Sequence, residues 1–356
     1  MRIALNGYGR IGRSFVRALL EREAEGWRAP FELVAINDLG KADDLLYLTR
    51  YDSTHGPLLE PVELLDGILH LGNHSPVLLE HDSPTQCPWR SFNVDVVIEC
   101  TGSFRAYDDA RGHIEAGAGA VILAAVPFDH ADDIIVYGVN HEGVEVSGKV
   151  LSAASCTTHC IAPLLRQLDD ALGVEQVIMK EVHAYTSDQS LLDHVHRDLR
   201  RGRAAAQNIV PTTSSAIGAI QKVLPQLAQR ISGDSIRVPT INVALVDLTI
   251  NLRNTVDENA LNALFYKAAS NSGGLLGYND EPLVSSDFNH RAESAIYDAT
   301  QTRVQGSLTH IVAWYDNEWG YANRLLDWMS YLGQQASGLE KVEHSQHEDH
   351  TTFTKH

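Results

Sequence analysis

Cys156 lies in A-S-C-T-T-H-C (154–160), between the hydroxyls of Ser155 and Thr157 and three residues before His159. A thiol in the first turn of a helix meets unpaired backbone N–H groups and the positive end of the helix dipole, and both favour the thiolate. Its own backbone N–H is a natural donor to an oxyanion formed by attack on a carbonyl. An imidazole within reach would add stabilisation and serve as a base. The candidate is His183, at the end of a strand-like run in K-E-V-H-A-Y-T-S-D-Q (180–189). Taken alone, these residues fit an inert buried cysteine more often than a reactive thiol.

A second chemistry-bearing stretch is G-Y-G-R-I-G (7–12), set between a strand and a helix. Gly7 permits the tight turn, Gly9 lets a pyrophosphate approach the backbone, and Gly12 allows close helix–strand packing. Arg10 and Ile11 then open a helix whose free N–H groups face phosphate. A second strand ends at Asp38, whose carboxylate can accept from adenosine ribose hydroxyls and repels a 2′-phosphate. NAD is therefore expected over NADP. Thr101 and Gly102, in C-T-G after another strand, would line the same crevice.

The elements that must position these groups follow from patterning. Up to about residue 150 short apolar runs at 2–6, 31–37, 94–100 and 121–126 alternate with helical stretches such as 11–24, as in a parallel sheet covered by helices. Residues 51–90 are richer in turn formers and read as an irregular or antiparallel insertion. Beyond Cys156 the style changes. Ser155 is a plausible N-cap for a helix starting at Cys156. From Ala244 to Leu252 even positions are apolar while Asp247, Thr249 and Asn251 face the other way, which marks an antiparallel sheet with one wetter face. The expected fold is α/β: a Rossmann-type dinucleotide-binding domain over 1–153, completed by a C-terminal helix at about 320–335, and an α+β catalytic domain over 154–319 with a mostly antiparallel sheet. Residues 336–356 read as a mobile tail, and its histidines 344, 347 and 350 as solvated rather than metal-binding.

Composition narrows the function. Lysine plus arginine is 28 against 46 acidic residues, a formal charge of −18, which opposes general binding to nucleic acid or anionic membrane. No apolar run approaches the roughly 20 residues of a membrane span. The opening residues carry no signal-like stretch, and four cysteines are too few for a disulfide scaffold. A cytoplasmic location with no metal site is expected.

N-G-Y-G-R-I-G-R, A-S-C-T-T-x-C, V-H-A-Y-T-S-D-Q, R-V-P-T-I-N-V and W-Y-D-N-E-W-G-Y-A-N-R occur in that order. Over residues 1–335 the sequence resembles the phosphorylating glyceraldehyde-3-phosphate dehydrogenases and the related erythrose-4-phosphate dehydrogenases. The resemblance implies that Cys156 attacks an aldehyde, that His183 takes the hemithioacetal proton, and that hydride passes to NAD. The resulting thioester is then cleaved by inorganic phosphate. It implies that Asn317 orients the nicotinamide carboxamide, with Tyr321 packed nearby, and that Arg237 lies between two anion subsites. Thr186 and Asp188 match the substrate-phosphate subsite; Ser155, Thr157, Ser214 and Ser215 match that of the attacking phosphate. It also implies a homotetramer, with residues 187–203 lining the subunit interface. The kept H-A-Y-T run favours glyceraldehyde 3-phosphate, with erythrose 4-phosphate as the alternative substrate and an NAD-binding regulatory protein as the alternative class.

Several positions leave that pattern. His159 and Ala153 replace asparagines, Lys180 and Glu181 a pair of threonines, Ser214-Ser215 a Thr-Gly, and Ala124 a serine; His194 and Val195 replace leucine and proline. Alternation puts Glu181 and His183 on one strand face. Glu181 is therefore expected to favour imidazolium, raising the pKa of His183 and helping to hold Cys156 as thiolate. His159 is expected to stand in for the asparagine behind the cysteine.

Overall fold

The computed structural model describes residues 1–349, with side chains placed through Gly338. Strands Arg2–Asn6, Glu32–Asn37 and Val96–Glu99 are short apolar runs with no room for a polar face, and they pair in parallel at the centre of a nine-stranded sheet. Outward on one side come Ala120–Leu123, Val150–Ser152 and Asp133–Ile134; on the other come Val77–Leu79, Ile68–Leu71 and Val62–Leu65. The last two form an antiparallel hairpin on this edge, the insertion expected in 51–90. Helix Arg10–Ala24 lays Phe15, Leu19 and Leu20 onto the sheet, and Trp319, Tyr321, Leu325 and Trp328 of helix Trp319–Asp349 join the same core.

A second sheet, of eight strands, orders Val210–Thr212, Ile231–Val238, Val174–Ala184, Ala244–Leu252, Leu308–Tyr315, Ala295–Asp298 and Leu276–Asn279, with Arg303–Gln305 on the side of Leu308–Tyr315. Most neighbours are antiparallel, and Ala244–Leu252 alternates buried and half-buried along its length as its spacing predicts. Helix Cys156–Leu172 covers this sheet with Leu164, Leu165 and Leu168, all fully buried. Each such leucine contributes roughly 1.5–3 kcal/mol, enough to hold the helix start rigidly over the strands. Val136, Ile161 and Val177 lie in the same core.

The tail reading needs correction: the C-terminal helix does not end near 335 but runs through Asp349. Lys341 to Asp349 are polar yet contain neither proline nor glycine, so nothing in them stops a helix already nucleated by a packed segment. Residues 350–356, including His350, and the side chains of His344 and His347 lie outside what is described. Among the described residues no helix is long and apolar enough to cross a membrane.

Candidate active site

Strand Val174–Ala184 lies between Ile231–Val238, to which it is parallel, and Ala244–Leu252, to which it is antiparallel. Its register sets Glu181 beside Ser235 and His183 beside Arg237. Being two residues apart, Glu181 and His183 point the same way, towards the start of helix Cys156–Leu172. That start is capped as expected: the Ser155 hydroxyl accepts from the Thr158 backbone N–H at 3.1 Å. The preceding Ala154 is held at φ +52°, and the Tyr321 hydroxyl is 3.3 Å from the carbonyls of both Ala153 and Ala154. A non-glycine residue in this region costs of order 1–3 kcal/mol, offset here by the burial of the whole turn.

These elements bring Cys156 Sγ to 3.7 Å from His183 Nε2. His183 Nδ1 lies 2.7 Å from the Ala184 carbonyl and donates to it, which leaves Nε2 as an acceptor facing the sulfur. Arg237 donates to the same carbonyl at 3.2 Å, while its Nε is buried without a partner.

The charge states differ from those expected. Burial pushes the Cys156 thiol up to about 12, with the Glu181 carboxylate adding to the rise and Thr157 and Arg237 opposing it. Burial likewise pushes His183 down to about 4, with Arg237 next, and Glu181 only partly offsets them. The resting pair is thus a neutral thiol facing a neutral imidazole. Glu181 does raise the His183 pKa as expected, but burial and Arg237 outweigh it, and at Cys156 the same carboxylate adds to the burial that disfavours the thiolate, so the expected imidazolium and thiolate do not result.

Glu181 is itself 2% exposed. Its Oε1 accepts from the Thr157 hydroxyl at 2.6 Å, and Thr157 in turn lies 2.8 Å from the Tyr315 hydroxyl. Oε2 has no hydrogen-bond partner. Burial pushes the Glu181 carboxyl up, but Arg237, the hydroxyls of Thr157 and Ser214 and, when it is protonated, His183 outweigh that and hold it below its ordinary range. His159, by contrast, is inert filling. Its Nδ1 donates to the Ser155 carbonyl at 3.2 Å, its Nε2 accepts from the Tyr137 N–H at 3.4 Å, and burial pushes it down to about 3.

A cleft of about 880 Å³ runs past this pair. Arg10, Ile11, Thr101, Gly102, Asn317 and Tyr321 are among its lining residues. Ser155, Thr157, Thr186, Asp188, Ser214, Ser215 and Arg237 line it too. Asp38 lies outside this cleft at the end of Glu32–Asn37, and Gly7, Gly9 and Gly12 lie outside it at the turn after the first strand. There a Cβ on Gly7 would stand 2.6 Å from the Thr101 nitrogen, and one on Gly12 would stand 2.5 Å from the Gly7 carbonyl oxygen.

Residues 1–107 match the model of the glyceraldehyde 3-phosphate dehydrogenase NAD binding domain, and residues 155–317 that of the C-terminal domain. A glyceraldehyde-3-phosphate dehydrogenase of Pseudomonas aeruginosa is 45% identical over 327 residues, covering 92% of this chain and 96% of that protein. The chain belongs to the glyceraldehyde-3-phosphate dehydrogenase family. The plasmid-borne glyceraldehyde-3-phosphate dehydrogenase of Cupriavidus necator is 44% identical over 328 residues, 92% of this chain and 97% of its own length. That of Xanthobacter flavus is 42% identical over 336 residues, 94% of this chain and 99% of its own.

The residues present fit NAD, the coenzyme of this glyceraldehyde-3-phosphate dehydrogenase family member. A Cβ on Gly9 would meet nothing within 4 Å, so the turn is open where a pyrophosphate would lie against the backbone. Asp38 accepts from the Tyr8 N–H at 2.7 Å and the Gly40 N–H at 2.8 Å, which fixes its carboxylate and leaves lone pairs for ribose hydroxyls. At the cysteine end Asn317 Oδ1 is buried without a partner, an acceptor suited to a carboxamide N–H. Glu318, the next residue, is anchored by Arg10, which also grips Asp52. Arg10 therefore ties Glu318, at the cleft, to Asp52, outside its lining.

The anion end needed more than the motifs contained. Asp188 is bound by Arg197 at 2.8 Å and by Arg201, so its carboxylate holds two arginines at the cleft. Arg105, Arg197 and Arg201 all line the cleft and were not among the residues read from sequence. Two of them sit in the R-D-L-R-R-G-R stretch, whose density of guanidinium groups was the available signal.

Proposed function

We propose that this protein oxidises glyceraldehyde 3-phosphate with NAD and inorganic phosphate, using Cys156 as nucleophile and His183 as base. The observation that carries this reading is the 3.7 Å approach of Cys156 Sγ to an Nε2 that is free to accept. Sγ bonds to the aldehyde carbon as its proton passes to His183, and the oxyanion, facing the Cys156 N–H, takes that proton from His183 to give the hemithioacetal, leaving His183 neutral. NAD, when bound, supplies the hydride acceptor. His183 then removes the hydroxyl proton as the carbon is oxidised, leaving a thioester on Cys156. Phosphate attacks that carbon, the C–S bond breaks, and the acyl phosphate leaves while the sulfur recovers a proton from His183.

Arg237, Thr186 and Arg201 would hold the substrate phosphate, with Asp188 fixing the arginine. Ser155, Thr157, Ser214 and Ser215 would meet the attacking phosphate. Because Ser155 and Thr157 flank the nucleophile, an anion there stands close to the thioester carbon. Residues 1–153 with the start of the C-terminal helix form the NAD-binding domain in this reading, and 154–319 the catalytic one. Leu191, Leu192, Val195 and Leu199 are each at least 75% exposed on one segment, which suits burial between subunits of a homotetramer. Such an enzyme would work in the cytoplasm.

Steady-state NADH formation with NAD and phosphate, measured for glyceraldehyde 3-phosphate and erythrose 4-phosphate in parallel, tests the proposal. The triose is expected to give the higher kcat/KM. Preference for the tetrose would reassign the substrate, and no turnover with either would favour a regulatory NAD-binding protein.

A further inference from the structure

Glu181 is not used by the mechanism above. It is a buried anion beside the nucleophile, where the family pattern carries a neutral threonine. Its Oε1 is 3.9 Å from His183 Nε2 and bonded to the hydroxyl of Thr157, the residue after the nucleophile. Its Oε2 makes no hydrogen bond of ordinary length, the Ser214 hydroxyl being the nearest other donor, although the residue lines the cleft and is 2% exposed. An unsatisfied buried carboxylate oxygen is costly unless something that donates occupies the space it faces. Inorganic phosphate, largely dianionic at neutral pH, is a poor candidate: it would bring a second anion into the same low-dielectric corner. A water molecule would donate to Oε2 without that repulsion.

We propose that Glu181 is a catalytic base for water, so that the Cys156 thioester is hydrolysed to the free carboxylic acid in competition with transfer to phosphate. The inference rests on the proposed reading of Cys156 as the acylated nucleophile and of Thr157 and Ser214 as lining the acyl-acceptor subsite. Glu181 takes one proton from water as the water oxygen bonds to the thioester carbon. The tetrahedral intermediate collapses, the C–S bond breaks, and the thiolate leaves and takes up the proton held by His183. The product is the carboxylic acid, which ionises at neutral pH, and no oxidant beyond the NAD of the first half-reaction is consumed. Within one subunit Glu181 is faced by Thr157, Tyr315, His183, Arg237 and Ser214, and Arg237 is the cation among them. That single guanidinium would have to serve both the carboxylate and any incoming phosphate.

The test is NADH formation from glyceraldehyde 3-phosphate and NAD in phosphate-free buffer, with products resolved by phosphorus NMR, for wild type, Glu181→Thr and Glu181→Gln. Wild type is expected to continue past one NADH per subunit and to release the carboxylate. Loss of a general base should slow that phosphate-independent turnover by about 10²-fold or more in both variants. Glu181→Thr should also lower the KM for phosphate by about tenfold or more, since the like charge is gone. A wild type that stops after one NADH per subunit, or a Glu181→Thr variant whose phosphate-free turnover and phosphate KM are unchanged, would overturn the proposal. Absence of even the first NADH would instead overturn the aldehyde oxidation on which it rests. Circular dichroism of each variant identifies any that fails to fold, and Glu181→Gln, of nearly the same shape, keeps the question decidable if Glu181→Thr does.

Discussion

Glu181 Oε1 lies 3.9 Å from His183 Nε2, which is itself 3.7 Å from Cys156 Sγ, so a fixed anion stands next to both members of the reacting pair. Its effect on the two is opposite in usefulness. It adds to the burial that keeps the thiol protonated, and it makes the imidazole easier to charge than burial and Arg237 alone would.

Removing that charge should make Cys156 more reactive. In Glu181→Gln the thiol loses a contribution that raises its pKa, so the thiolate fraction at fixed pH increases. Each unit of downward shift gives about tenfold more thiolate. The pH dependence of iodoacetamide labelling at Cys156 reads this directly. A profile identical to wild type would show that Glu181 is too well screened to matter.

The pH profile of kcat/KM follows from the sign of the His183 shift. Its base form persists until the pH falls to about 4, well below the ordinary 6.5 of a free imidazole. The acid limb of the profile should therefore lie near pH 4, and Glu181→Gln should move it lower by removing the one carboxylate that favours protonation. The same depression acts on stability. Between about 6.5 and about 4 the unfolded chain binds a proton that the folded chain refuses, so stability contributed by this group falls as pH drops through that window. An acid limb close to 6.5 would contradict the neutral, buried imidazole.

His159 should be replaceable by the residue it displaced. His159→Asn can keep a donor to the Ser155 carbonyl, and neither side chain carries charge here. Labelling of Cys156 is expected to be unchanged. His159→Ala, which loses both hydrogen bonds and leaves a cavity, should cost about 2–4 kcal/mol in urea unfolding.

Asn317 should act on the coenzyme alone. Its unpartnered Oδ1 suggests that Asn317→Ala weakens NAD binding by about tenfold, the loss of roughly one hydrogen bond, as read by isothermal titration. Iodoacetamide labelling of Cys156 in the absence of NAD should not change.

What the sequence made legible was what depends on backbone need and local spacing. Gly7, Gly9 and Gly12 could be assigned separate jobs because each answers a steric requirement of one turn. Ser155 could be assigned as a cap because the helix it starts has four orphan N–H groups. The alternation of Ala244–Leu252 is a property of a single strand. The charge state of Cys156 was not legible, because it depends on how completely distant strands exclude water, and a helix end was weighed where desolvation prevails. Arg105, Arg197 and Arg201 escaped because they reach the cleft from surface-like stretches, and the pairing of Asp188 with two of them could not be read without the fold. The extent of the last helix was also hidden, since a polar composition does not by itself end a helix that packing has begun.

The central claim is that Cys156 forms the bond to the aldehyde while His183 moves the proton. Stopped-flow measurement of the first NADH per subunit, with glyceraldehyde 3-phosphate and saturating NAD at pH 7, tests it most directly. The burst is expected to vanish in Cys156→Ser and to slow by about 10²–10⁴-fold in His183→Gln, the range for loss of a positioned base. A burst of undiminished rate in either variant would contradict the account.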